Sequence, residues 1–432
     1  MSGAASSNAG SNAGSAAGGS SGATPAAWLG PLAGLKVLDL SRVLAGPFVT
    51  QLLGDLGAEI LKIETPGHGD DTRTFPPFVG GESHYFIALN RQKQSLVIDL
   101  QEPRGAQLLR DLAAKSDVLV ENFRPGVMQR LGLDYATLAQ INPRLIYCAV
   151  SGFGLSGPLR DKPSFDIVTQ AMSGVLSVNG EAGATPVKLG LPLGDMSGGI
   201  FGSIGILAAL HERHASGRGR MVDISLHDGM LAMLGYLSQL YFLTGRDPQP
   251  VGTSHPSVVP YGSFPASDGQ IIIACLTQGF WGRLCTALEH PEWADDARFN
   301  STALRLANRA LVDRMIGAVT QGRTVAEWVL RLSAADVPNA PVLGVGAALM
   351  HPHSAAREMV VDSVHPRAGP IRMLGRPIKF PGASQPPLQP SPVLGQHTRE
   401  VLRRELGLDE ATLEQLARDG VIDRIDAATR AR

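Results

Sequence analysis

The sequence predicts an α/β protein: a large, doubly wound, Rossmann-like parallel-sheet domain, a smaller α+β domain, and a last segment that returns to the first. Three observations predict it. Short apolar runs of strand length alternate with helical spacing from Leu35 to Gly154, the pattern of a parallel sheet. A stretch of short strands, helices and frequent prolines follows from about Gly219 to Pro338. The chain of 432 residues is long enough for two or three domains with sizeable cores.

Residues 1–30 are rich in Gly, Ala, Ser and Asn and carry no charge, which predicts a flexible tail. The first Lys or Arg is Lys36, so the basic start of a secretory signal and the arginines of a transit peptide are not seen, and a cytoplasmic location is expected. The large domain is assigned to 31–218. Its strands are read at 36–41, 58–64, 95–100, 117–123 and 144–154, with helical spacing at 48–57, 104–116 and 126–142. Ligands of such sheets lie at the carboxyl ends of strands, here 41–47, 64–73, 122–126 and 151–162. The small domain is assigned to 219–338. The return segment, 339–432, ends in two helices, with Asp409 as a cap.

Net charge is −1 and no basic stripe is present, which argues against a nucleic-acid partner. The apolar run Met196–Leu210 is glycine-rich and short for a bilayer, so no membrane partner is expected. Cys148, Cys275 and Cys285 are widely spaced and outside any CxxC, as reduced thiols would be. No HExxH occurs and His351 and His353 flank a proline; no metal site is expected. "GGSSG" (18–22) matches a nucleophile-elbow pattern but lacks the strand and helix such an elbow needs.

Two stretches carry chemistry. "RVLAGPF" follows the first strand, and Glu64 closes the second at the place where an acid would hold a ribose hydroxyl. The loop lacks GxGxxG, which leaves an NAD-dependent dehydrogenase as an alternative only. "KLGLPLGDMSGGIFGSIGILAAL" contains one acid, Asp195, within apolar and small residues. A buried carboxylate costs several kcal/mol unless it is paired or hydrogen-bonded. Asp195 therefore reads as a helix N-cap, as an acid facing a ligand between glycines that expose N–H groups, or as both.

Together, "PLAGLKVLDLSRVLAGPFVTQLLGDLGAEILKIE", "DVLVENFRPGVMQRLGL", "FDIVTQAMSG", "GDMSGGIFGSIGILAAL" and "LGQHTREVL" resemble the class III coenzyme A transferases, over about 32–422. That family also contains formyl-coenzyme A transferase and α-methylacyl-coenzyme A racemase. The resemblance implies transfer of coenzyme A (CoA) from an acyl-CoA to a carboxylic acid, with CoA as co-substrate, no tightly bound cofactor, and an interlocked homodimer. It places the catalytic carboxylate at Asp195, which forms an acyl anhydride and then an aspartyl-CoA thioester. An anhydride conserves the activation that an ester to serine would lose. The glycines near Asp195 are expected to supply N–H groups to the oxyanion.

The same resemblance puts CoA contacts at Val43, Ala45, Asn122, Phe123 and Arg130. The family often has a basic residue after "KIE", which is Thr65 here, so that phosphate contact is either missing or made by Arg73, Arg91 or Lys93. The racemase histidine is replaced by Phe165, which cannot carry a proton and disfavours racemisation. Leu44 replaces a glutamine of the formyl branch and disfavours oxalate. The sequence looks most like the succinyl-CoA:dicarboxylate branch, glutarate included, and Arg42, Arg73 and His255 are the cations expected to meet the distal carboxylate. Arg73 reads equally as a surface ion pair with Asp70 or Asp71. A non-catalytic nucleotide-binding protein is the alternative outside enzymes.

Overall fold

The computed structural model describes residues 29–426; the expected tail, but for its last two residues, lies outside them. Six strands, β1 (Lys36–Asp39), β2 (Glu59–Glu64), β3 (Lys93–Val97), β4 (Val118–Glu121), β5 (Ile146–Ser151) and β6 (Met221–Ser225), form one all-parallel sheet in the order β3-β2-β1-β4-β5-β6. β4 (VLVE) and most of β5 (IYCAVS) read as apolar runs because both faces of the sheet are covered, whereas β1, β2 and β3 also carry the buried charges Asp39, Lys62, Glu64 and Lys93. Val37, Val118, Val120, Cys148 and Val150 meet the helices Ala45–Asp55 and Leu193–Ser216 on one face. Leu38, Leu61, Leu96 and Leu119 meet the helix Pro103–Ala113 and the late helices Thr398–Leu406 and Glu410–Arg418 on the other. The order reverses between β1 and β4, so a crevice opens there beyond the carboxyl ends of the strands.

The helix Leu193–Ser216 ends at left-handed Gly217 (φ 67°). It is longer than the apolar run read from sequence, and by length and composition alone it could cross a membrane. Here one side of it packs against the sheet and the helix Ala45–Asp55, while Ile200, Ile204 and Leu207 are exposed. A Cβ on Gly198 would lie 2.4 Å from Leu226, and one on Gly199 2.4 Å from Phe48; these glycines let neighbouring helices approach.

The antiparallel strands Tyr261–Ala266, Gly269–Ala274 and Asn339–Pro341 form a second sheet around Ile271, Trp281, Phe299, Trp328 and Leu332. Buried Arg305 ties this unit together, donating to the carbonyls of Val259 (2.9 Å) and Phe299 (3.0 Å). The expected 219–338 limits are corrected at both edges. Residues 221–225 are the sixth strand of the large sheet, and 339–341 pair with the small one. Strand pairing, rather than the composition shift, sets these edges.

The outer edge of β3 is covered by the end of the chain. The Val97 N–H donates to Thr398 Oγ1 (3.1 Å) and the Ser95 carbonyl accepts from His397 N–H (3.0 Å). This leaves no open ladder on that side. Cys148, Cys275 and Cys285 are free and buried, and no metal-holding cluster of His, Cys, Asp or Glu occurs among the described residues.

Candidate active site

The loop after β1 is built on buried charge. Asp39 lies at the end of the strand; burial opposes its ionisation, but Lys62 and Lys93 more than offset this and hold it well below the usual carboxylate range. Lys62 Nζ donates to the Ser41 carbonyl (2.8 Å) and pairs with Asp70 (3.0 Å). Asp70 Oδ1 in turn accepts the N–H of Val43 (3.2 Å). Val43 is left-handed, with φ 68°, an outlier for a β-branched residue. On the other side the Asn122 amide grips Arg42, accepting its N–H (2.8 Å) and donating to its carbonyl (2.7 Å). The expected CoA residues Val43, Ala45 and Asn122 are thus one assembly, in which the Asn122 amide is spent on shaping the loop.

Two cavities flank this loop. One, of about 510 Å³, is lined by Leu40, Thr65, Gln101, Phe123, Arg124 and Arg130 among others. The other, of about 300 Å³, contains Val43, Ala45, Arg160, Lys162, Phe165 and Asp195. Arg42, Phe123 and Arg124 line both. The Arg42 guanidinium lies 3.3 Å from Asp71 and 5.3 Å from the Phe123 ring centre. The pair of cavities suits a long ligand with an anionic, nucleotide-like end near Arg124 and Arg130 and a reacting end at Asp195.

Asp195 is the third residue of its helix, and it is not the cap. Asp166, at the start of the helix Asp166–Met172, accepts the Gly194 N–H instead (2.8 Å). The half-buried Asp195 carboxyl accepts no hydrogen bond among the described residues. Burial, and secondarily the charge of Asp166, push its pKa up to about 7. A carboxyl that gives up hydration without gaining a partner is poised to lose its charge by protonation or acylation. The expected oxyanion role of the glycines is corrected: Gly198 and Gly199 lie inside the helix, where N–H groups bond carbonyls four residues back.

Other expected residues sit elsewhere. Arg73 is buried and committed: its Nε and Nη2 each donate to Glu64 at 2.7 Å, and Nη1 lies 3.5 Å from Glu82. It is neither a free cation for a substrate nor a surface partner of Asp70 or Asp71. Both Glu64 oxygens are taken by that pairing, which removes the acid that a dinucleotide ribose would need. Arg91 is likewise bound to Asp55 (2.6 and 2.9 Å) and Lys93 to Asp39 (2.9 Å). None of the three substitutes for the missing base at Thr65; that cavity is lined by Arg124 and Arg130, beside Arg42, which lies by Asp71, and Lys62, which is paired with Asp70. His255 packs between Tyr236 and Tyr261 with ring centres 5.5 and 5.4 Å away, outside the wall of the Asp195 cavity. Arg160, Lys162 and Asp166 were missed, although the first two lie in the strand-end loop 151–162 and the third opens a helix.

The parallel sheet, the crevice at its reversal and a carboxyl, Asp195, on the wall of a two-part cavity fit an enzyme that acts on a long, nucleotide-tailed substrate. The chain belongs to CoA-transferase family III, whose pattern matches residues 32–398, and it is a CoA-transferase of that class. It is 40% identical over 389 residues to the acetyl-CoA:oxalate CoA-transferase of Acetobacter aceti (90% of this chain, 99% of that protein). It is 34% identical over 394 residues to the succinyl-CoA:glutarate CoA-transferase of Homo sapiens (91% of this chain, 90% of that protein). The crystal structure of a CAIB/BAIF family protein from Brucella suis superposes with a TM-score of 0.79 at 36% identity, covering 88% of this chain and all of that one.

Proposed function

We propose that the enzyme moves CoA from succinyl-CoA to a short dicarboxylic acid such as glutarate, with Asp195 as nucleophile. One observation carries this reading: a half-buried carboxyl without a hydrogen-bond partner faces a cavity that shares Arg42, Phe123 and Arg124 with a second, arginine-bearing cavity. An Asp195 oxygen attacks the thioester carbonyl; the new C–O bond forms as the C–S bond breaks, and the electron pair leaves on the CoA thiolate. The thiolate attacks the Asp195 carbonyl of the anhydride and expels succinate, giving aspartyl-CoA. The acceptor carboxylate repeats both steps in reverse order, and no water or net proton is consumed.

Arg42 is assigned to the distal carboxylate of the acceptor, and Arg124 and Arg130 to CoA phosphates. The relative named for oxalate supports a second reading, in which the acceptor is shorter than glutarate; Leu44 alone is a weak reason against it. In this proposal the large unit is Rossmann-like and is formed by 31–225 with the end of the chain. Two copies form an interlocked homodimer in the cytoplasm; the exposed apolar residues Ile204, Phe242, Leu243 and Val345 are surface that such pairing would cover. The test is an acceptor screen with succinyl-CoA as donor, read by chromatography of CoA esters, beside mass spectrometry of acid-quenched protein. Glutaryl-CoA formation and an acyl or CoA adduct on the Asp195 peptide are expected; turnover with no adduct there would overturn Asp195, and exclusive use of monocarboxylates would overturn the acceptor class.

A further inference from the structure

We infer that Asp166 is a positioning residue for the transfer reaction: its carboxylate caps the helix that carries Asp195 and stands as a fixed negative charge beside that nucleophile. The inference rests on Asp195 being the nucleophile, as proposed above. Both Asp166 oxygens are held. Oδ1 accepts the Gly194 N–H at 2.8 Å, and Oδ2 accepts from Gln170 Nε2 at 2.6 Å. The other end of the same amide, Gln170 Oε1, accepts the Leu189 N–H at 3.0 Å. One chain of side-chain bonds therefore fixes both ends of the 189–194 segment leading into the catalytic helix. The approach is close: a Cβ on Gly194 would lie 2.8 Å from Thr169 Oγ1 and 3.0 Å from Asp166 Oδ1. That accounts for the glycine immediately before the nucleophile.

The capping bond alone would be structural; the charge makes it part of the chemistry. Around Asp195, Tyr85 approaches from the helix His84–Leu89, and its phenol is pushed up to about 12 by burial and then by Asp195, Asp70 and Asp166. The cavity wall adds Arg42, Arg124, Arg160, Lys162 and Asp71. On the adjacent helix Leu226–Met233, His227 and Asp228 lie 3.4 Å apart and face each other. None of these groups hydrogen-bonds Asp195. When the thioester is attacked, the C–O bond forms, the C–S bond breaks and the negative charge leaves Asp195 with the thiolate. Like-charge repulsion with Asp166 is present before that step and absent after it, so Asp166 favours acylation.

The test compares wild-type enzyme with Asp166→Asn, Asp166→Ser and Asp166→Glu, each checked by thermal melting. The readout is the pH profile of kcat/KM for succinyl-CoA from pH 5 to 9. Asn and Ser keep an acceptor for the Gly194 N–H without the charge; Glu keeps the charge. The charge-free variants are expected to shift the acid limb down by about one pH unit, with an alkaline plateau lowered about tenfold, while Asp166→Glu keeps the wild-type limb. An unmoved limb in whichever charge-free variant folds overturns the role of Asp166. Digestion of quenched wild-type enzyme separates the two claims: an adduct on the Asp195 peptide with an unmoved limb removes Asp166 alone, and turnover with no adduct removes the nucleophile assignment.

Discussion

Asp195→Asn should make the protein more stable at neutral and alkaline pH, by an amount that grows up to about neutrality and then stays constant. The Asp195 carboxyl has a folded-state pKa raised from 3.8 to about 7, chiefly by burial and then by Asp166. A carboxyl that binds its proton more tightly when folded loses stability as pH rises. The folded protein suffers no penalty below the unfolded value of 3.8, an increasing one up to about 7, and a constant one above that. At 1.36 kcal/mol per pH unit the full span corresponds to about 4 kcal/mol, an upper figure for a group that retains some solvent. Replacement by the uncharged amide removes this dependence. Urea titrations of both proteins at pH 5, 6, 7, 8 and 9 measure it, because only the change of the difference with pH is read. The advantage of the Asn protein should rise by about 1.4 kcal/mol per pH unit up to neutrality and then level off. A difference that stays flat from pH 5 to 9 would refute the raised pKa, and the poised nucleophile with it.

The same Asp195→Asn protein should lose transfer activity by orders of magnitude in a coupled CoA-ester assay, with deamidation excluded by mass. Arg73→Ala should lower the melting temperature sharply, since it takes the guanidinium from buried Glu64, which keeps only the Asp70 N–H, Ser95 and the charge of Lys62, at a cost of up to about 3–5 kcal/mol. A variant with wild-type melting but an altered acceptor KM would return Arg73 to the substrate. Arg42→Ala should raise KM for glutarate about ten- to hundredfold, and far less for a monocarboxylate of similar length; equal losses would assign Arg42 to CoA. Arg124→Ala should raise KM for succinyl-CoA with little change in that for the acceptor, and the opposite pattern would move the phosphate site elsewhere.

Much of the sheet was legible because its signal is local. Most strands contain a short apolar run, the crossovers at 48–57, 104–116 and 126–142 have helical spacing, and Asp195 stands out as one acid in an apolar neighbourhood. What failed to read depends on residues distant in sequence. Arg73 looked free because its partner, Glu64, is drawn to it by the turn between them, and Glu82 arrives from a separate strand. Asp195 looked like a cap because the real cap, Asp166, lies 28 positions before the Gly194 N–H that it accepts. Gly198 and Gly199 looked like oxyanion donors because nothing local shows that Leu226 and Phe48 press against them. The edges of the small unit were misplaced for a similar reason: residues 221–225 and 339–341 are assigned by the strands they pair with, and composition carries no record of partners.

The covered edge of β3 ties the order of synthesis to the order of assembly. Val97 is bonded to Thr398, a separation of 301 residues. At about 5–20 residues per second, a ribosome needs roughly 15–60 s to supply the second after the first. Throughout that interval the growing chain displays an unpaired sheet margin, with the apolar Leu38–Leu96–Leu119 face awaiting Val401, Leu402, Leu413 and Ile422. A message truncated before codon 397 would encode a protein that keeps every proposed catalytic residue and still has no finished sheet to hold them.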